Sequence, residues 1–142
     1  MQTTSTATVS ATPDQVWSVL CDHEGMAHWG PGLKVSLRKE GTGDRNGVGA
    51  VREINAPGPA PAIVEEITAF EPGRKLGYRA LGGVPLRNYS GEVVLSPSGA
   101  VTTIAYTVSA DSRIPVLDRI AVAGISKVLL TALVRRVRAV AS

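Results

Sequence analysis

The sequence predicts an α+β domain in which one antiparallel sheet is covered on a single face by a long C-terminal helix. Three observations lead there. Runs of period-two alternation follow one another between residues 33 and 110, separated by turns rich in Gly and Pro. Before them stands one well-signalled short helix, "TPDQVWSVL". After them, Pro115 opens roughly 25 residues of helical pattern, long enough to be the principal packing element. The length of 142 residues suits one domain, 1–142, with a single sizeable core.

The first stretch, "TSTATVSA", has the polar and β-branched mix of a strand. Thr12 then stands as N-cap, Pro13 at the first helical position, Asp14 in the first turn and Gln15 three residues after the cap. The helix is short because "CDHEGMAHWGPG" follows; residues 22–28 have room for a second short helix, ended by Gly30, Pro31 and Gly32. Leu33, Val35 and Leu37 alternate with Lys34, Ser36 and Arg38, as in a half-buried strand. Further strands are expected over 48–55, 62–70, 75–81, 87–96 and 101–110. The turns between them are "APGPAP", "EPGR", "GGVP" and a two-residue hairpin at Ser98-Gly99.

Composition excludes several classes. An apolar share of 44% against 19% charged residues is globular, and aromatics at 4% leave the core to Val, Ile, Leu and Ala. The net charge of +3 gathers largely in "RRVRAVAS", where basic residues complement a helix end, so no nucleic-acid partner is expected. The single cysteine, Cys21, excludes an internal disulfide and reads as a small buried hydrophobe. The N-terminus lacks the basic end and apolar stretch of a secretion signal. The apolar C-terminal stretch is interrupted by Asp118, Arg119 and Lys127, so no integral membrane segment is expected and a cytoplasmic location is the default. The run "GTGDRNGVG" precedes a strand and lacks Gly-Lys-Ser/Thr, and no His/Asp/Glu spacing suits a metal, so neither cofactor nor metal is expected.

Register can be read from the turns. If "APGPAP" sets Ile54 opposite Ile63, steps of two residues set Arg52 opposite Glu65 on the same concave face. The next turns bring Ile67 near Tyr78 and Tyr78 near Tyr89; through Ser98-Gly99, Ile104 meets Val93 and Tyr106 lies near Gly91. An inner face with an Arg-Glu pair and three phenols would be costly in a dry core, at about 1–3 kcal/mol for each unpaired buried polar group. A ligand pocket removes the difficulty. Small residues on the last helix (Ala121, Ala123, Gly124, Ala132) fit either room for a ligand or close approach of helix to sheet.

The element order, with "ATPDQVWSVLCD", "HWGPGLKV", "GVGAVREI", "IVEEITAFEPGRKLGYR" and "YSGEVVLSPSGAVTTIAYTVSA", resembles the START-like helix-grip (SRPBCC) superfamily over nearly the whole chain, most closely its polyketide cyclase/dehydrase and lipid-transport branch. The resemblance implies a seven-stranded curved sheet gripping the C-terminal helix, with a cavity between them. Members include polyketide cyclases, lipid carriers, hormone receptors and allergens, so the fold does not give the function.

The expected function is binding of a hydrophobic or amphipathic small molecule, with Trp29, Arg52, Glu65, Tyr78, Tyr89 and Tyr106 as ligand-binding candidates. Each has a plainer reading: a structural ion pair for Arg52 and Glu65, sheet packing for the tyrosines, a plug at the end of the core for Trp29. An enzyme that cyclises or dehydrates a polyketide-like chain is the alternative, with Glu65 the best catalytic candidate. A third reading is an interaction module using the last helix, whose stripe Val122, Ile125, Leu129 and Leu133 would face outward and allow a homodimer. Trp17 reads as packing, and His23 and His28 as surface or rim residues.

Overall fold

The computed structural model describes residues 1–111 and 115–141. In chain order the elements are β1 (Gln2–Val9), α1 (Pro13–Leu20), a 3-10 helix (Glu24–Trp29), β2 (Lys34–Lys39), β3 (Val51–Asn55), β4 (Ile63–Glu71), β5 (Lys75–Gly82), β6 (Ser90–Ser98), β7 (Val101–Ser109) and α2 (Pro115–Ala141). The strands form one seven-stranded sheet ordered β1-β7-β6-β5-β4-β3-β2, antiparallel throughout. This is the α+β arrangement expected from the alternation and the helix-grip fold that the resemblance implies. β1 pairs with β7 at one edge, and the chain crosses to the other edge through α1 and the 3-10 helix.

α1 starts where local chemistry dictates. The Thr12 hydroxyl accepts from the Gln15 backbone and the Gln15 side chain accepts from the Thr12 backbone, a complete capping box with Pro13 at the first helical position. Its apolar face buries Val16 and Leu20, while Trp17 meets Phe70 edge-on at 5.1 Å.

β3–β4 pairing sets Arg52 opposite Glu65 and Ile54 opposite Ile63, and β4–β5 pairing sets Ile67 opposite Tyr78. The β6–β7 hairpin differs from expectation. Ser98 pairs with Val101, so Gly99 and Ala100 form the loop, Ile104 meets Leu95 and Tyr106 meets Val93. The reason is Gly99, whose φ of +61° supplies the left-handed turn position one residue later than Ser98 would. Each pairing moves by two residues, which preserves facing, so Tyr106 still points inward. Residue 48 also lies outside β3, because the preceding loop closes on itself through bonds such as Thr42 N to Val48 O at 3.0 Å.

Register irregularities between Val64 and Glu65 and between Ile67 and Ala69 bend β4 against β5 beside the inward-facing Glu65 and Ile67. α2 lies across the concave face, tied to β1 by a Ser5 to Ser126 hydroxyl bond of 2.8 Å. The stripe expected to face outward is turned inward instead. Val122 and Leu133 are fully buried, and Ile125 and Leu129 are half-buried and line a cavity. Among the described residues, the large apolar side chains that α2 does expose are Ile120, Val128 and Val140.

Gly91 has a sequence requirement of its own. It is the cross-strand partner of Tyr78, and a Cβ there would overlap the Tyr78 ring. Gly91→Ala is expected to displace that ring and lower stability by about 1–3 kcal/mol. Urea unfolding reads the change; an unchanged midpoint would mean that the ring does not rest on Gly91.

Candidate functional site

Arg52 and Glu65 sit mid-strand on the bent part of the sheet, 2% and 4% exposed. Arg52 Nε donates to Glu65 Oε1 at 2.9 Å, and Nη2 lies 2.7 Å from the same oxygen. Glu65 Oε2 accepts no hydrogen bond among the described residues, so one carboxylate oxygen remains available to a guest. Burial works most strongly against the Arg52 charge, but the Glu65 carboxylate, its hydrogen bond and the nearby Tyr78 and Tyr106 phenols together outweigh it and hold the guanidinium above the ordinary arginine pKa.

The remaining guanidinium nitrogen, Nη1, lies 3.2 Å from His23 Nδ1. Arginine only donates, so Nδ1 is the acceptor; the imidazole is then neutral and its proton sits on Nε2, which donates to the Asn46 carbonyl at 2.8 Å. Burial first, and the Arg52 charge second, lower the His23 pKa to about 4. This corrects the expected surface or rim placement. His23 is fully buried, whereas His28 is exposed. No local pattern reveals it, because a 3-10 segment has no amphipathic period to read and the partner lies 29 residues away.

Below the guanidinium lies the Tyr78 ring, 4.8 Å from the Arg52 Cζ to its centroid. The Tyr78 and Tyr106 hydroxyls are 2.7 Å apart, and the Tyr78 and Tyr89 rings are 6.3 Å apart and tilted by 45°. Burial raises the pKa of Tyr78, Tyr89 and Tyr106, so at neutral pH all three phenols keep their protons and serve as hydrogen-bond donors rather than bases.

These groups converge on a cavity of about 740 Å³ between the sheet and α2. Its walls are chiefly aliphatic, with Leu33, Ile54, Ile63, Val84, Ile125 and Leu129 among them. All six residues singled out in the sequence, Trp29, Arg52, Glu65, Tyr78, Tyr89 and Tyr106, line it. Trp29 is 5% exposed at the end of the 3-10 helix, with its carbonyl oxygen held by Arg135 Nη2 at 2.5 Å. Of the small residues singled out on α2 only Ala132 borders the hollow; Ala121 and Gly124 are exposed. The α2 residues Lys127, Thr131 and Arg135 also line it, although in sequence the arginine reads simply as a basic helix end.

Among the described residues no group of three or more His, Cys, Asp or Glu side chains is placed to hold a metal ion, and no helix is long and apolar enough to cross a membrane.

The family model for polyketide cyclase / dehydrase and lipid transport matches residues 1–140. Curated proteins contain no match to the chain. Among solved structures, a START superfamily protein from Mycobacterium smegmatis superposes with a TM-score of 0.80 at 14% identity, covering 96% of this chain and 97% of that one. A protein from Thermus thermophilus, TTHA0849, gives 0.75 at 18% identity with 100% of both chains covered. The Zhui aromatase/cyclase from Streptomyces sp. R1128 gives 0.73 at 22% identity, covering 97% of this chain and 93% of that one. At these identities the likeness is one of fold.

Proposed function

The chain belongs to the polyketide cyclase / dehydrase and lipid transport family, and from that premise we propose that it encloses a hydrophobic or amphipathic small molecule, a lipid, polyketide or aromatic metabolite, between the sheet and α2. The observation that carries this reading is the cavity: about 740 Å³ with aliphatic walls and a few convergent polar groups. Sites that bury small ligands usually have about 300–1,000 Å³ and that same division of labour. In this reading the aliphatic walls take the body of the guest. The phenol protons and Glu65 Oε2 orient its carbonyl or hydroxyl groups, and Arg52 keeps the carboxylate in place.

Native mass spectrometry of the protein as purified tests the proposal, followed by thermal unfolding with the molecule it identifies. A ligand present at 100 times its Kd is expected to stabilise the fold by about 2.7 kcal/mol. Ala132→Phe, which fills the hollow from α2, should abolish that stabilisation while unfolding stays cooperative. Undiminished binding by the variant would place the guest elsewhere.

A second reading is favoured by one specific feature, the Glu65 oxygen that no described residue engages. In a cyclase or dehydrase acting on a polyketide-like chain, Oε2 would take a proton from carbon next to a carbonyl, while a phenol donates to that carbonyl oxygen as negative charge develops there. A fold neighbour carries the name aromatase/cyclase. Glu65→Gln separates the readings: a cyclase loses product formation and keeps binding, whereas a variant that still turns over removes Glu65 from the chemistry.

A further inference from the structure

The end of the cavity bounded by α2 and the 3-10 helix is built differently from its centre. In the centre the one buried cation is matched by a carboxylate, Arg52 with Glu65. At the α2 end stand Lys127, Thr131 and Arg135, at successive intervals of four residues, which puts them along one side of the helix. All three also line a second hollow against β1, to which Arg138 adds a further cation. Between residues 119 and 141 the chain carries Arg119, Lys127, Arg135, Arg136 and Arg138 and no carboxylate. Among the described residues none of these cations forms an ion pair. Elsewhere on the surface arginines do find glutamates, as in Arg38 with Glu53, Arg45 with Glu24 and Arg79 with Glu66. Among the described residues the positive charge at the mouth is therefore uncompensated.

A second observation points the same way. The indole N–H of Trp29 is buried and has no acceptor among the described residues, although Trp29 lines the cavity and its backbone is bound by Arg135. A buried donor left without a partner costs about 1–3 kcal/mol. Tryptophan, lysine and arginine side chains donate and do not accept, and of the side chains named here only the Thr131 hydroxyl can accept, so donors outnumber acceptors at this end of the cavity.

We propose that the guest is an amphipathic acid, with an apolar body inside the cavity and an anionic head group, carboxylate or phosphate monoester, held at the α2 mouth by Lys127, Arg135 and the Trp29 indole N–H. The inference rests on the cavity-binding reading and specifies the ligand class. A neutral lipid would fill the same walls but leave the indole unpaired and the mouth positively charged. An acid supplies the acceptor and the charge together, and a partly desolvated mouth strengthens both contacts relative to water.

Calorimetric titration with decanoic acid, decyl phosphate and 1-decanol tests it, since the three share one chain and differ at the head. At least one acid is expected to bind the wild-type protein about tenfold or more tightly than the alcohol. Lys127→Glu, at an exposed position, should reduce that acid's affinity by about tenfold or more and leave the alcohol's unchanged. The preferred acid distinguishes carboxylate from phosphate. Equal binding of all three, or acid binding indifferent to Lys127→Glu, overturns the head-group assignment while leaving the cavity reading intact. Absence of binding by all three overturns the amphipathic-acid assignment, while the cavity reading is decided separately by native mass spectrometry and Ala132→Phe.

Discussion

Glu65→Leu is expected to lower the unfolding free energy by about 3–5 kcal/mol, the effect of leaving a buried cation without its counter-charge. Arg52 is 2% exposed and directs two of its donors at one Glu65 oxygen, so removal of that carboxylate strands them in a place water barely reaches. Arg52→Met on its own leaves Glu65 uncompensated and should be similarly damaging. The double variant Arg52→Met/Glu65→Leu is expected to regain most of the loss, because apolar residues of similar volume replace a desolvated pair without its hydration penalty. Urea unfolding of the four proteins closes a double-mutant cycle. A coupling energy near zero would show that the pair is wetted by the cavity.

Acidification should expose the role of His23. The unfolded imidazole takes up a proton near its ordinary value of 6.5, and the folded one does so only at about 4. Within that window the unfolded chain binds more protons, so lowering the pH favours unfolding. The contribution is fully present above the upper limit and lost progressively as pH falls to the lower one, by about 3 kcal/mol in all. Protonation would also place a positive ring against the Arg52 guanidinium, since Nδ1 can no longer accept. His23→Gln does not titrate, so its stability curve should be shallower than the wild type's across the window, and the two should converge towards acid. Parallel curves would remove His23 from the balance.

Much of this arrangement is legible in the sequence wherever the cause is local. The capping residues Thr12 and Gln15 fix the start of α1 by contacts three residues apart. Period-two alternation, carried through hairpins whose turns contain Gly and Pro, sets Arg52 against Glu65 and brings Tyr78 and Tyr106 to the inner face, whereas Tyr89 stands just before β6 rather than within the expected strand. What escapes has a non-local cause. His23 meets Arg52 only after the 3-10 segment folds back on β3, and nothing in its neighbourhood signals this. Val122, Ile125, Leu129 and Leu133 share one side of a helix, but periodicity says which residues go together and not whether that side meets solvent or sheet. The cations of α2 look like an ordinary helix end until the fold brings Lys127 and Arg135 to the mouth of the hollow.

The pairing of β1 with β7 has a temporal consequence. Gln2 lies opposite Ser109 and Val9 opposite Thr102, so the first strand of the domain waits for the last strand before it has a neighbour. Until then β1 is an open seam, and its Ser5 has no Ser126 to bond. Such distant pairing slows folding, since long loops must close before the contact rewards them. The nascent chain can assemble β2 through β6 early, as a meander of neighbours, but the container is sealed only once β7 and α2 have emerged.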